Sequence, residues 1–270
     1  MARVLCLSSH VVRGSVGLAA TVPALQSLGH EVWALPTVTL AARPGLGQAA
    51  MLPGGRRATD ASELAGMLAA LEQDACWPML DAVMTGYFAS AESVAAAADA
   101  IVRIMAGNPR IHVLVDPIIG DAGRLYVPES TADAIRDRLL PLADLATPNR
   151  FELQWLVGAR SLDDRAAIVS AAGTLGPGLV AVTSALQSPT DVTTLLVGKT
   201  GLVRETASRL VSGIPNGSGD LFDGLLLGHL LAGLPPADAM DAALATLARV
   251  LESSAGCDVL QLRHLFHTSP

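Results

Sequence analysis

A chain of 270 residues, 51 % hydrophobic and 16 % charged with a mean hydropathy of +0.44, is too apolar to stay disordered. It is long enough for one large core, so a single domain over residues 1–270 is expected. Eighteen basic against 25 acidic residues give a net charge of −7, and aromatics reach only 3 %, which excludes the basic footprint and stacking platform of a nucleic-acid binder.

The opening residues run directly into a β-like segment without a basic, apolar and cleavable leader, so no export signal is expected. In chain order, β-like runs at 3–7, 31–35, 82–85, 111–115, 145–147 and 179–183 alternate with helix-period segments. Those segments are 17–28, 60–73, 91–105, 130–139, 150–157 and 163–175, the pattern of βαβ units on a mostly parallel sheet. Runs at 193–197 and 202–207 flank Gly198-Lys199-Thr200-Gly201 and predict a hairpin, hence an antiparallel edge. Helices at 220–231 and 236–253 follow, and the only long internal loop expected is 39–59, with Pro44-Gly45 and Pro53-Gly54-Gly55 as turn signals. The most apolar run, 221–234, is broken by Asp223 and His229 and is shorter than the about 20 residues of a spanning helix, so no membrane partner is expected. Cys6, Cys76 and Cys257 are odd in number and widely separated, which argues against a disulfide framework or a zinc site and points to a reducing cytoplasm.

In an open α/β sheet, ligands bind beyond the carboxyl ends of the strands. The residues expected there are Ser8-Ser9-His10, Asp116-Pro117, Pro148-Asn149 and Thr183-Ser184. Asn216-Gly217-Ser218-Gly219-Asp220 precedes an apolar helix. Its glycines can turn N–H groups toward a phosphoryl group, beside which Asp220 is useful only as a proton acceptor. The competing reading is a flexible turn with Asp220 as a helix cap. Thr147-Pro148-Asn149-Arg150-Phe151-Glu152 offers an amide and a carboxylate three residues apart, suited either to ordering water around Mg²⁺ bound to ATP or to a capping box. Asp116, and Asp121 within Gly120-Asp121-Ala122-Gly123, can help hold a cation or can simply form turns. Thr183 and Ser184 can donate to phosphate or cap a turn. Ser8-Ser9-His10 with Gly14-x-x-Gly17 is not a dinucleotide fingerprint, a lone His10 has no second metal ligand spaced for it, and Cys6 reads as core.

Four motifs, Ser9-His10-Val11-Val12-Arg13-Gly14, Asp116-Pro117-Ile118-Ile119-Gly120-Asp121, Thr147-Pro148-Asn149-Arg150-Phe151-Glu152 and Gly217-Ser218-Gly219-Asp220-Leu221-Phe222, stand in the order found in pyridoxal kinases. From Val4 to about Leu251 the chain resembles that family of the ribokinase-like superfamily. The resemblance implies a three-layer α/β/α sandwich with a mostly parallel sheet, an antiparallel edge and no lid domain, usually a homodimer. It implies transfer of the ATP γ-phosphate to the 5′-hydroxymethyl group of pyridoxal, pyridoxine or pyridoxamine, with Mg²⁺ as cofactor and room for a monovalent cation. By motif match Asp220 would be the base, and Gly217, Ser218 and Gly219 the anion hole. Asn149 and Glu152 would order the Mg²⁺ waters, with Asp116 and Asp121 at the cation or phosphate side. Thr147, Thr183 and Ser184 would line the ATP phosphates, and Ser9, His10, Pro44 and Gly45 the vitamin.

One departure concerns the vitamin side. Where family members usually carry Ser-Asn-His before a Thr-Gly or Pro-Gly pair, this chain reads Ala41-Ala42-Arg43-Pro44-Gly45. No cysteine lies between Cys76 and Cys257 to trap an aldehyde, as some members can. A ribokinase-like kinase of another small hydroxymethyl compound, such as hydroxymethylpyrimidine, is therefore the second reading. A non-catalytic vitamin- or nucleotide-binding protein of the same fold is the third, and the pairing of Asp220 with Gly217, Ser218 and Gly219 argues against it, since a binder needs no base.

Overall fold

The alternating apolar runs assemble into one nine-stranded sheet in the computed structural model, which describes residues 1–266. In chain order the strands are β1 (Arg3–Arg13), β2 (Glu31–Ala42), β3 (Arg56–Ala58), β4 (Ala82–Thr85), β5 (His112–Val115), β6 (Gly120–Asp121), β7 (Arg124–Leu125), β8 (Leu145–Ala146), β9 (Leu179–Gln187), β10 (Asp191–Gly198) and β11 (Gly201–Arg209). The spatial order is β11-β10-β9-β8-β5-β4-β1-β2-β3, with β6 and β7 forming a separate hairpin. The strands from β9 through β8, β5, β4 and β1 to β2 are parallel, while β3, β10 and β11 are antiparallel additions at the two edges.

The helices are α1 (Leu18–Ser27), α2 (Ala61–Gln73), α3 (Ala91–Gly107), α4 (Glu129–Ala134), α5 (Arg150–Leu156), α6 (Arg165–Thr174), α7 (Ser218–Leu231) and α8 (Pro236–Ser254). Successive side chains of a strand point to opposite faces, and both faces here are covered. Val4 and Cys6 of β1 pack with Leu25 of α1, Leu225 of α7 and Met240 of α8. Leu5 and Leu7 pack on the other face with Leu64 of α2 and Ile101 of α3. Val180 and Val182 continue that second layer against Leu153 of α5 and Ile168 of α6. Each such fully buried aliphatic side chain contributes about 1.5–3 kcal/mol, so these alternating rows hold the three layers together. The α/β/α sandwich and its antiparallel edge are as expected.

Three local expectations need correction. Ser8, Ser9 and His10 do not follow the first strand but lie within β1, which continues to Arg13 as a ribbon paired with β2. Outside the sandwich the ribbon loses its β4 neighbour after Leu7, so its polar residues carry no buried-strand pattern. The expected loop 39–59 shrinks for the same reason: residues 39–42 belong to β2, and β3 pairs back onto it. Thr183 and Ser184 likewise fall inside β9, where Ser184 takes the left-handed conformation at φ 48°. The turn expected around Asp121 is present as that of the β6–β7 hairpin, through Ala122 and Gly123 at φ 49° and 81°.

Candidate active site

Two helix starts without a side-chain cap meet at the carboxyl ends of the central strands. Gly17 precedes α1 at φ 56°, and Gly217 precedes α7 at φ 114°. A Cβ on Gly217 would stand 1.8 Å from the Ser15 carbonyl oxygen, and one on Gly17 would stand 2.1 Å from that of Ser9, so only glycine lets these segments touch. The first α7 amide to close a turn is that of Leu221, which donates to the Gly217 carbonyl at 3.0 Å. The N–H groups of Ser218 and Gly219 have no protein partner among the described residues, which leaves them to an anion. The Thr21 hydroxyl donates to the Asp220 carbonyl at 3.1 Å, and a Cβ on Gly224 would press on Ala24 at 2.8 Å, so α1 and α7 lie close together here.

Asp220 keeps part of its surface open while its carboxyl sits in this crevice. Loss of hydration pushes its pKa up to about 6, against the pull of the Gly17 N–H and its own N–H. A carboxylate that titrates this close to neutrality can accept a proton and release it again.

Deeper in, Asp116 at the end of β5 and Asp223 on the second turn of α7 are both buried and face each other. Burial, then their mutual repulsion, raises Asp116 well above the usual carboxylate range. Asp223 is raised as well, by burial and by the charges of Asp220 and Glu152, although the Asp116 carboxyl and Thr147 hydroxyl oppose the shift. Sequence reading missed Asp223, treating it only as an interruption of an apolar run. Its spacing of three from Asp220 on one helix is the signal that could have found it.

Asn149 and Glu152 close a full capping box on α5: Asn149 Oδ1 accepts the Glu152 N–H, and Glu152 Oε2 accepts the Asn149 N–H, both at 2.9 Å. Glu152 Oε1 accepts from the Ile119 and Gly120 amides at 3.1 and 3.4 Å, while Asn149 donates from Nδ2 to the Gly120 carbonyl at 2.9 Å. The buried Glu152 is raised well above its ordinary value by desolvation and by Asp116, although those backbone amides pull it down. These two residues thus tie the segment after β5 to the start of α5. Thr183 is drawn to the same place by a parallel bridge to Asn149 and by its N–H to the Pro148 carbonyl at 3.0 Å. Asp121 is exposed on its hairpin and accepts the Ala122 N–H at 2.6 Å. Among the described residues no three acidic, histidine or cysteine side chains converge as direct metal ligands.

On the ribbon side, a register shift between Ser8 and Ser9 sets Ser9 beside Gly17, while the Ser8 hydroxyl accepts the Tyr87 N–H at 3.2 Å. His10 is half-buried and pairs with Thr39. Pro44 and Gly45 form a turn closed from Leu46 to Arg43 at 3.1 Å. The Arg43 guanidinium donates to the Asp258 carbonyl at 2.8 and 3.2 Å. Its aliphatic stem lies against Gly14, so Arg43 is engaged in tethering its turn to the C-terminal segment. A separate cavity of about 550 Å³ beneath β3, lined by Arg56, Thr59, Asp60 and Ser90, contains none of the residues expected at the site.

A ribokinase-like fold, with an open helix start beside a carboxylate of raised pKa, is the arrangement of a phosphotransferase. The family model described as phosphomethylpyrimidine kinase matches residues 58–262. A pyridoxal kinase of Corynebacterium diphtheriae is 30 % identical over 264 residues, covering 96 % of this chain and 92 % of the relative. The crystal structure of pyridoxal kinase from Entamoeba histolytica superposes with a TM-score of 0.88 at 25 % identity, over 98 % of this chain and 94 % of that one. Pyridoxal kinase from Leishmania donovani, in complex with ADP and pyridoxine, gives 0.85 at 26 % identity over 99 % and 96 %. The chain belongs to the pyridoxal kinase family, a ribokinase-like family of kinases.

Proposed function

We propose that the protein transfers the γ-phosphoryl group of ATP to the 5′-hydroxymethyl group of a B6 vitamer, pyridoxal or pyridoxine first. The observation that carries this reading is Asp220 at about pKa 6 directly beside the unpartnered Ser218 and Gly219 amides. In the proposed step, Asp220 takes the hydroxyl proton as the vitamin oxygen bonds to the γ-phosphorus. The bond from that phosphorus to the β–γ bridging oxygen breaks, and ADP leaves. The amides of residues 217–219 face the charge that grows on the transferring group. The Leishmania relative's complex with ADP and pyridoxine supports both halves of the substrate pair.

The hard oxygen donors at the crevice suit Mg²⁺, which would neutralise phosphate charge when bound with ATP. Asp116, Asp121 and the Asn149–Glu152 pair are the proposed residues on its side. Glu152 acts there by holding the segment of Ile119 and Gly120 in place, since its oxygens already accept three backbone amides. Thr183 and Ser184 would line the phosphates, and Ser9, His10, Pro44 and Gly45 the vitamin.

We further propose one domain, a cytoplasmic setting and a homodimer. Three free cysteines support the cytoplasmic setting, and Cys6 among them is inert core whose thiol burial pushes up to about 12. No helix among the described residues is long and apolar enough to cross a membrane. Light scattering tests the dimer, and a mass near the 27.7 kDa of one chain at micromolar concentration refutes it. ADP release with ATP and Mg²⁺, measured against pyridoxal, pyridoxine, pyridoxamine and hydroxymethylpyrimidine, tests the substrate. Turnover with hydroxymethylpyrimidine alone would replace the vitamin reading.

A further inference from the structure

The segment that follows α8 reaches both halves of the crevice. It is held from behind: the buried Ser254 hydroxyl oxygen accepts the Gln261 N–H at 2.8 Å, and the Gly256 N–H donates to the Gly213 carbonyl ahead of α7 at 3.1 Å. On the transfer side Leu260 lies against Gly217, where a Cβ would meet Leu260 Cδ1 at 3.2 Å. On the ribbon side Asp258 takes the ends of β1 and β2 at once. Its carbonyl accepts from Arg43 Nε and Nη2, and its carboxylate Oδ2 accepts from Arg13 Nη2 at 3.2 Å.

The turn after β2 has few other ties to the sandwich. The Arg43 N–H bond to the Arg13 carbonyl, at 2.9 Å, and the Leu46 bond back to Arg43 stay within the ribbon, while Pro44 and Gly45 are exposed. Leu46 is buried, but apolar burial sets no direction. A planar guanidinium forked on a carbonyl fixes angle as well as distance. Arg43 Nη1 donates to the Pro44 carbonyl at 3.1 Å, so every guanidinium nitrogen is already engaged with the protein and the side chain acts through its turn. The carboxylate in this group belongs to an exposed pair with Arg13, which contributes little in water. What Arg43 supplies is geometry.

We propose that Arg43 is a positioning residue: forked on the Asp258 carbonyl, it holds the Pro44–Gly45 turn at a set distance from the open start of α7 and so governs how tightly the hydroxymethyl acceptor is held. The proposal rests on the phosphotransfer reading but not on which acceptor is phosphorylated.

The test uses full-length Arg43→Ala, Arg43→Lys and Asp258→Asn, with KM for acceptor and for ATP measured separately and hydrogen exchange followed by mass spectrometry without ligands. Arg43→Ala is expected to raise acceptor KM at least about tenfold and to leave ATP KM within about twofold. Arg43→Lys, which can reach the carbonyl but cannot fork on it, should fall between wild type and Arg43→Ala. Amides of residues 43–47 should exchange faster in Arg43→Ala, and those of 82–85 should not change. Asp258→Asn keeps the carbonyl that Arg43 uses, so its acceptor KM should stay within about twofold of wild type. A merely structural Arg43 would instead lower the thermal midpoint and raise both KM values together. The proposal is overturned by that pattern, by an unchanged acceptor KM or unchanged exchange at 43–47 in Arg43→Ala, or by an equal rise of acceptor KM in Asp258→Asn. Should wild type turn over no B6 vitamer, the vitamin reading falls and acceptor KM is read with hydroxymethylpyrimidine; should it turn over neither, the exchange rates alone decide.

Discussion

The starts of α5 and α7 use the same helix-end chemistry in opposite ways. At α5, Asn149 and Glu152 satisfy each other's amides, and Glu152 has acceptor capacity left for Ile119 and Gly120. At α7, Gly217 supplies no side chain, and the Ser218 and Gly219 amides stay open. A closed helix start fixes neighbouring segments, and an open one is a place for negative charge. The difference separates the part of the site that holds its shape from the part proposed to perform the transfer.

The largest effect is expected at the open end. Asp220→Asn keeps size and folding but removes the proton acceptor, so kcat should fall by about 10²–10⁴ with ATP affinity retained. A kcat within about threefold of wild type, by coupled assay, would show that Asp220 is not the base. Gly217→Ala comes next. Its Cβ would meet the Ser15 carbonyl at 1.8 Å from a backbone at φ 114°, so the amides must shift and kcat should drop by about 10²–10³. Normal turnover in that variant would mean that the open amides do not touch the transferring group.

A pH series probes the same end. Because Asp220 must be ionised to accept a proton and its pKa is raised to about 6, kcat should fall about tenfold per unit below that pH and level off above it. Stability runs the other way. The folded chain holds the Asp220 proton between the ordinary value of 3.8 and about 6, where the unfolded chain has released it. This contribution is therefore present at low pH and is lost as pH rises through about 6, which urea midpoints at pH 5 and 7.5 would detect. The smallest effect belongs to the closed end. Asn149→Ala should cost about 1 kcal/mol in urea unfolding and leave kcat within a few-fold. A hundredfold loss of kcat at unchanged stability would place Asn149 among the groups that act on ATP.

The layered sheet was legible because its central strands are buried on both faces and read as continuous apolar runs, as at 82–85 and 111–115. The ribbon was not, because Ser8, Ser9 and His10 lie where the strands leave the sandwich and no apolar rule applies. Asp220 and the Asn149–Glu152 pair were legible from local spacing, and the capping box was weighed beside the metal role. Asp223 was hidden because its partners, Asp116 and Thr147, come from distant strands, and a single acidic residue in an apolar helix reads as an exception until those strands are in place. The tether from Arg43 to Asp258 was hidden for the same reason, since it joins residues 215 apart.

The contact between α1 and α7 has a consequence for how the enzyme comes to exist. Thr21 and the Asp220 carbonyl are 199 residues apart, so the crevice cannot close until most of the chain is available. Central strands and their crossover helices can pair earlier through shorter loops, and the long closure comes at the end. A chain emerging from the ribosome therefore acquires its sheet before its chemistry. Refolding followed by an assay for ADP release should lag behind refolding followed by circular dichroism, and a circular permutant that brings α7 next to α1 in sequence should shorten that lag.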